Sequence, residues 1–366
     1  MRKGILALAA AGLVVAGGLS ACGNSSNSNA GSGSSPAAKT PLIGVILPDT
    51  KSSVRWETAD KPFLKQAFDA AGVKSDIQNA QGDPAQFQTI ADQMLTEGVN
   101  VLVITDLDAG SGTAVIKKAQ AAGVPVIDYD RLTLGGGAQY YVSFDNVAVG
   151  KLQGQGLQKC MSAINAPKGA KVAEVNGSPD DNNATLFAQG YDSILNPLYA
   201  DGTYSKGPNQ AVPKWDNAQA GTIFEQMLTS APDIKGALVA NDGMANAVIA
   251  VLKKDHLQMP VTGQDATDQG LQNILAGDQC MTVYKAVKKE AQAASDLAIA
   301  LAKGQKPTTQ QTVKDTTLNK DVPSVLATPV AIYKDNVKAV VDDGYVTKAD
   351  LCTGDYAAKC TAAGIS

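Results

Sequence analysis

The chain contains only two tryptophans, and both lie among polar residues. Trp56 follows Arg55 soon after the first apolar run, and Trp215 lies in the segment Pro-Lys-Trp-Asp-Asn. An indole offers a flat apolar face, while neighbouring guanidinium, carboxylate and amide groups donate and accept hydrogen bonds. That combination suits a pyranose sugar, whose C–H faces are apolar and whose rim is polar. A loop tryptophan can also cover a hydrophobic core, so the surrounding residues must decide between the two.

Short apolar runs alternate with longer amphipathic segments, a pattern typical of an α/β fold. We predict strands at 42–47, 99–105, 124–129, 141–144, 171–175, 236–240, 261–263 and 281–284. Apolar residues three and four apart predict helices that end before Gly72, Gly98 and Gly123, since glycine favours the position after a helix. Repeated strand–helix–strand units imply parallel sheets with helices on both faces. We therefore predict two doubly wound lobes.

In open parallel sheets, ligands bind beside the carboxyl ends of the strands. Nearly every predicted strand is followed by polar residues, which are Arg55 (beside Trp56), Asp106, Asp108, Asp130, Arg131, Asn182, Asn183, Asn241, Asp242, Gln264, Asp265 and Lys285. Carboxylates accept hydrogen bonds, Arg and Lys donate them, and Asn does both, so the set suits sugar hydroxyls. Asp and Asn at strand ends also cap helices, and for Asp242 and residues 180–183 that alternative stays open.

The sequence argues against an enzyme. It has no GxGxxG after the first strand and no Walker, GxSxG or HExxH motif. The single histidine, His256, lies at the predicted solvent end of a helix. We expect no catalytic residue, no metal site and no cofactor. An enzyme acting on a sugar or nucleotide is the alternative from another class, with Asp106 and Asp108 as its best acid–base candidates.

Charge and cysteine content narrow the function further. The net charge of −4 and the lack of a basic cluster argue against nucleic-acid binding. After Cys22, four cysteines remain, and an even number in an exported protein favours disulfides. Four cysteines allow three pairings, among which the sequence cannot select. The short spacing favours Cys352 with Cys360, which would leave Cys160 with Cys280.

Residues 1–21 have the form of a lipoprotein signal peptide. A basic Met-Arg-Lys start precedes an apolar run too short for a membrane span, and the run ends in Leu-Ser-Ala-Cys at Cys22. We predict cleavage before Cys22 and its lipidation, which would anchor the protein to the outer face of the cytoplasmic membrane. An ordinary secretory signal with a chance cysteine is the alternative. Residues 22–40, rich in Gly, Ser and Asn, predict a flexible tether.

Three segments are distinctive when taken together: GSPDDNNA at 177–184, GQDA at 263–266 and TVYK at 282–285. Weaker matches lie at 43–45, 128–131, 143–146, 241–242 and 321–329. Over residues 42–345 the chain resembles the D-xylose-binding proteins of ABC importers. The resemblance implies the type I periplasmic-binding-protein fold, in which two lobes are joined by a hinge of three chain crossings.

By this resemblance, Trp56 and Trp215 would lie on the two faces of a sugar ring. The ring's hydroxyls would be bound by Arg55, Asp130, Arg131, Asn182, Asn183, Asn241, Asp265 and Lys285. The crossings would fall near Asp145, near Lys285 and within 305–320. The N-terminal lobe would comprise 42–144 plus 286–305, the C-terminal lobe 145–284 plus 320–345, and the tail 346–366. The site would form only when the lobes close.

The resemblance also implies a function. A receptor of this kind captures a monosaccharide, most simply D-xylose or a related aldose, by hinge closure and delivers it to an ABC permease. The expected partners are the sugar, the permease and the membrane, and we expect the protein itself to be a monomer. Sensing a sugar for a chemoreceptor or another signalling partner is the alternative use of the same fold.

Overall fold

Seven of the eight predicted strands form, and the run at 261–263 contributes only an isolated bridge between Val261 and Ala237. The computed structural model describes residues 40–365. The predicted signal peptide, the predicted lipidation site at Cys22 and the predicted tether before Thr40 lie outside the described residues. Within residues 40–365, no helix is long and apolar enough to cross a membrane.

Strands and helices alternate along most of the chain. The strands are β1 Leu42–Leu47, β2 Lys74–Asn79, β3 Val101–Ile104, β4 Val126–Tyr129, β5 Tyr140–Phe144, β6 Ala170–Asn176, β7 Tyr204–Ala211, β8 Ile234–Val239, β9 Thr282–Tyr284, β10 Gln311–Asp315, β11 Lys320–Ala327 and β12 Val330–Ile332. The helices are α1 Lys61–Ala70, α2 Pro84–Glu97, α3 Ala109–Ala121, α4 Asn146–Ala163, α5 Asn182–Ala200, α6 Asn217–Ser230, α7 Asp242–Lys254, α8 Asp268–Ala276, α9 Val287–Ala302, α10 Lys338–Asp342, α11 Lys348–Leu351 and α12 Tyr356–Ala362. Two short turns carry the tryptophans, a π-helical turn at Trp56–Asp60 and a 3-10 turn at Pro213–Trp215.

The first lobe is built on a seven-stranded sheet in the order β10-β11-β5-β4-β3-β1-β2. Every neighbouring pair is parallel except β10 with β11. Side chains of β1 alternate between the two faces: Val45 and Leu47 pack with α1 and α9, whereas Ile46 packs with α2 and α3. Because helices cover both faces of this sheet, the inner strands bury side chains on both sides and have continuous apolar sequences. This confirms the doubly wound architecture.

The second lobe is built on the parallel sheet β7-β6-β8. Bridges from Ala237 to Val261 and from Gln264 to Val283 continue it toward the antiparallel pair β9–β12. Helices α4 and α5 cross closely on this sheet. A Cβ added to Gly150 would lie 2.0 Å from the carbonyl oxygen of Phe187, so only glycine permits this approach. The crossing fixes the N-terminus of α5, which reaches the gap between the lobes.

The sequence prediction missed strands β2, β7, β10, β11 and β12. Residues of β2 and β7 are mostly half-buried or exposed, and each strand lies at the edge of its sheet. An edge strand pairs through its backbone without burying both faces, so it has no apolar run to reveal it.

The chain crosses between the lobes after Phe144, after Tyr284 and after Ala327. The third crossing lies later than the predicted 305–320 region. The prediction that residues 320–345 belong to the C-terminal lobe is therefore wrong for Lys320–Ala327, because this strand pairs with β5 in the seven-stranded sheet. Alternate residues of that strand, Val322 and Ser324, are buried in the sheet. The segment Lys320–Ala327 contains polar residues and a proline, so its sequence does not indicate a buried strand.

The C-terminal tail packs against α8 in the second lobe. Leu351, Cys360 and Ile365 join a small apolar cluster with Leu271 and Ile274 of that helix. The structure pairs the four cysteines in the way that the sequence favours. Cys352 bonds Cys360 with Cα atoms 5.8 Å apart, and Cys160 bonds Cys280 with Cα atoms 6.3 Å apart, distances normal for disulfides.

Candidate functional site

A small cavity lies between the two lobes, where the carboxyl ends of the parallel strands face each other. We call it the central cavity. It is lined by Ser52, Ser53, Arg55, Trp56, Asp130, Arg131, Asp181, Asn183, Phe187, Trp215, Asn241, Gln264, Asp265 and Lys285.

The structure brings nine of the ten predicted ligand-binding residues to the central cavity, the exception being Asn182. Asn182 is the first residue of α5 and faces a separate surface cleft beside Asp106 and Asp108. Adjacent residues at the start of a helix point about 100° apart, and here Asn183 faces the cavity while Asn182 faces away from it. Placing Asn182 in the site is therefore wrong.

In the first lobe, Arg55 is held almost entirely by carboxylates. Its Nε and Nη2 donate to Asp60 at 2.8 and 2.7 Å, Nη2 also donates to Glu290 at 2.8 Å, and Nη1 donates to Asp130 at 3.0 Å. The side chain is only 1% exposed. Four of its five N–H groups are thus used inside the protein, which leaves one for a ligand. Arg55 is chiefly a fixed support for Asp130 and for the Trp56 ring, whose centroid lies 4.5 Å from its guanidinium carbon.

Asp130 lies at the centre of the charged groups. Its side chain contacts Arg55 at 3.0 Å and lies 3.8 Å from Lys285 Nζ. Although burial alone would raise the pKa of Asp130, the positive charges of Lys285, Arg55 and Arg131 lower it below its ordinary value. Asp130 therefore stays ionised and accepts hydrogen bonds. Its backbone is left-handed, at φ +62°, a conformation that is strained for aspartate and often found in functional sites.

In the second lobe, the cavity side chains lie at helix starts and in the Asp265 loop. Asn241 caps α7 by accepting from Met244 N at 2.9 Å, and its amide also donates across the gap to Ser52 O at 3.1 Å. One side chain therefore both caps α7 and contacts the opposite lobe. Asp242, by contrast, is fully buried behind the cavity and serves the structure alone, accepting from Gln279 and Thr282.

Trp215 enters the cavity from a strained turn. Lys214 and Trp215 both have φ near +55°, and the indole lies so close to Gly177 that a Cβ there would be 2.1 Å from the ring. Its Nε1 donates to Asp181 at 3.1 Å. Trp56 comes from the other lobe, and its Nε1 donates to Ser52 Oγ at 3.1 Å. Each indole packs against its own core and also lines the cavity.

The two lobes contact each other around the cavity. Asn183 Nδ2 donates to Asp130 O at 2.9 Å, and Ser53 Oγ donates to Asp265 Oδ2 at 3.2 Å. Arg131 Nε lies 3.0 Å from Asp181 Oδ2. These contacts exist only when the lobes are close together, so the structure represents a closed form.

Five cavity residues were not predicted as ligand-binding: Ser52, Ser53, Asp181, Phe187 and Gln264. Phe187 lies four residues after Asn183 on α5, and helical spacing alone could have identified it. Gln264 directly precedes Asp265, and its Oε1 is buried without a hydrogen-bond partner in the described structure. An unpaired acceptor facing a polar cavity is a natural partner for a ligand hydroxyl.

The described residues offer no cluster of three or more His, Cys, Asp or Glu side chains arranged to hold a metal ion. His256 is exposed just beyond α7, as predicted.

These features define a two-lobed solute-binding fold, and comparison with known proteins places the chain in a family. Residues 43–306 match the family described as periplasmic binding protein domain, and the chain belongs to it. It is 35% identical over 321 residues to the D-xylose-binding periplasmic protein of Escherichia coli K12, covering 86% of this chain and 93% of that protein. It is 33% identical over 330 residues to a multiple sugar-binding periplasmic receptor of Rhizobium radiobacter, with coverage of 86% and 93%.

Solved structures agree. A carbohydrate transporter solute binding protein from Chloroflexus aurantiacus, in complex with D-glucose, matches with a TM-score of 0.77 and 31% identity over 85% of this chain and 98% of that chain. An ABC transporter solute binding protein from Clostridium phytofermentans, with bound beta-D-glucose, matches with a TM-score of 0.79 and 28% identity over 85% and 99%. The predicted fold class and family resemblance are confirmed. These relatives are named as binding proteins, in agreement with the prediction of a non-enzyme.

Proposed function

We propose that this protein is an extracytoplasmic receptor that captures a monosaccharide, D-xylose or a closely related aldose, for an ABC permease. One observation carries the proposal: Trp56 and Trp215 come from opposite lobes and line the same cavity. Covering the C–H face of a sugar with an indole removes apolar area from water, worth roughly 25 cal/mol per Å². The names of the relatives from Escherichia coli and Rhizobium radiobacter support the same ligand class.

The polar rim supports the proposal as well. Asp130, Asp265 and the orphaned Gln264 Oε1 offer acceptors, while Lys285 and Arg131 offer donors. Lys285 Nζ lies 3.1 Å from Asp265 Oδ1, so each charge is held in place before a ligand arrives. Prearranged charged partners make strong hydrogen bonds to hydroxyls without a large ordering cost.

The division of the cavity residues between the two lobes supports binding by hinge closure. Trp56, Asp130 and Arg131 belong to the first lobe, and Asn183, Trp215 and Asp265 to the second. A ligand that contacts both sets stabilises the closed form, because the open form offers only half of the contacts. The closed form then docks on the permease.

A thermal-shift screen of D-xylose, L-arabinose, D-ribose, D-glucose and D-galactose, followed by calorimetric titration, tests the ligand. We expect D-xylose or a near relative to raise the melting temperature increasingly with concentration, with one site per chain. A panel in which no monosaccharide shifts the transition or releases heat would contradict the proposal. Testing transport itself requires cells that lack the chain, which should take up less labelled sugar.

We further propose that Cys22 carries a lipid anchor, on the strength of the Leu-Ser-Ala-Cys segment alone. Cells expressing the full chain should incorporate labelled fatty acid into the protein, and Cys22→Ala should abolish the label. Label retained in the Cys22→Ala protein would contradict the proposed anchor. The proposal of sugar binding would still stand, because it does not depend on the anchor.

A further inference from the structure

One buried carboxylate at the edge of the central cavity, Asp181, contacts three separate parts of the molecule. Its Oδ1 accepts from Asn183 N at 2.9 Å and so caps α5. Its Oδ2 accepts from Trp215 Nε1 at 3.1 Å and lies 3.0 Å from Arg131 Nε of the first lobe. Only 5% of the side chain is exposed. A single residue thus links the cap of a binding helix, the orientation of an indole and the contact between the lobes.

The indole depends on this contact because its backbone is strained. Left-handed φ values at Lys214 and Trp215 are unfavourable for both residues and persist only when surrounding contacts hold them. The described hydrogen bonds that hold this turn to the preceding strand-end loop are Lys214 N to Ser178 Oγ at 3.0 Å and Trp215 Nε1 to Asp181. Asp181 therefore helps to fix the plane of the second indole.

A second space adjoins the central cavity on the far side of Asp181. This outer cleft, of about 250 Å³, is lined by loops of both lobes, including Asp49, Gln81 and Lys214. Three residues line both spaces: Arg131, Asp181 and Trp215. They form a partition between the central cavity and the outer cleft, and the Arg131–Asp181 pair is the part of it that joins the lobes.

We propose that Asp181 is a specificity-determining residue that limits the ligand to a single sugar ring. A second ring linked to the first would have to pass the partition, where the Arg131–Asp181 contact and the indole of Trp215 stand. Separating a buried ion pair costs several kcal/mol when its partners are left unpaired, so the closed form rejects the longer sugar. The outer cleft has room and polar groups for a second ring once the partition is opened.

The proposal rests on the proposed function, and the test separates the two. Asp181→Ser shortens the side chain, removes the contacts with Arg131 and Trp215, and keeps a good helix cap. The matched control is Asp83→Ser, since Asp83 caps α2 with the same geometry, accepting from Ala85 N at 2.8 Å, and lines neither space. Calorimetry would give Kd for D-xylose and for its β-1,4-linked disaccharide with each protein.

In the wild type and in Asp83→Ser, we expect D-xylose to bind and the disaccharide to bind at least about 100-fold more weakly. In Asp181→Ser, the binding of D-xylose should weaken while the binding of the disaccharide should not. The Kd of the disaccharide divided by the Kd of D-xylose should therefore fall at least about tenfold. An unchanged ratio, or a wild type that binds both sugars equally, would overturn the proposal. A wild type that binds no monosaccharide would instead defeat the proposed function.

If Asp181→Ser does not fold, Asp181→Asn supplies the test. It keeps the size and the capping oxygen and removes the charge that faces Arg131. We expect the Kd ratio to fall about threefold, and a ratio equal to that of the wild type would overturn the proposal.

Discussion

The two tryptophans of the site are held in place by different physical means. Trp56 lies beside a dense group of charges, in which Arg55 contacts Asp60, Glu290 and Asp130. Trp215 lies on a strained turn, pressed against Gly177 and hydrogen-bonded to Asp181. One half of the site is set by electrostatics within the first lobe, and the other by backbone geometry and packing in the second.

Because of this difference, substitutions beside Trp56 and substitutions at Trp215 should affect different properties, the first mainly stability and the second mainly ligand affinity. The contacts of Arg55 with Asp60, Glu290 and Asp130 lie inside one lobe and remain intact in any open form. Their loss should therefore lower the free energy of unfolding. Trp215 packs against the core of the second lobe and also lines the central cavity, so its loss should reduce affinity for the ligand. Burial and the negative charge of Asp130 raise the pKa of Glu290 well above its ordinary value, and the positive charge of Arg55 opposes that rise.

The largest expected effect is on stability, from Arg55→Met. Removing the guanidinium leaves Asp60, Glu290 and Asp130 without their shared cation in a buried place, which costs about 3–5 kcal/mol. Urea unfolding would measure the free energy of unfolding. Arg131→Met is the matched control, because Arg131 faces one carboxylate across the gap, and it should cost clearly less. Equal losses for the two variants would refute the contrast between the half-sites.

The next effect is on affinity. Trp215→Ala should weaken D-xylose binding at least about tenfold, or about 1.4 kcal/mol, while the protein stays folded. Trp215→Phe keeps a flat ring and loses only the bond to Asp181, so it should weaken binding less. Calorimetric titration checks both. An Ala variant that titrates like the wild type would show that this indole does not face the sugar.

A smaller effect compares two aspartates. Asp130→Asn should weaken sugar binding about fivefold, because an amide loses its charge contacts with Lys285 and Arg55. Asp108→Asn should stay within about twofold of the wild type, since Asp108 caps α3 outside the central cavity and asparagine caps equally well. Similar losses in both variants would mean that the acceptors of the site lie elsewhere.

The last effect concerns pH. Burial, reinforced by the charge of Asp265, raises the pKa of Asp242 to about 7 from its ordinary value of 3.8. The folded chain thus holds this proton more tightly than the unfolded chain, so the associated stability is present at low pH and is lost as pH rises through about 7.

Asp242→Asn should remove that dependence. Between the ordinary value of 3.8 and about 7, the free energy of unfolding of the wild type should fall with rising pH more steeply than that of the variant. Urea unfolding across this window gives both slopes. Parallel slopes would show that Asp242 is ionised throughout.

Much of this arrangement could be predicted from sequence, because buried parallel strands have apolar runs and binding residues follow their ends. The run at Leu42–Leu47 gave β1 with its observed bounds, and the polar residues after it led to Arg55 and Trp56. Sequence could not distinguish Asn182 from Asn183, because helix rotation decides which of two neighbours faces the cavity. It also missed Asp181, whose importance comes from Arg131, a residue fifty positions away in the chain.

The central claim is that one sugar ring lies between the two indoles in the closed form. A crystal structure of the protein with D-xylose tests it most directly. We expect the ring in the central cavity, with its C–H faces against Trp56 and Trp215 and its hydroxyls within hydrogen-bond distance of Asp130, Gln264 or Asp265. Sugar density elsewhere, or a ring in contact with neither indole, would contradict the account.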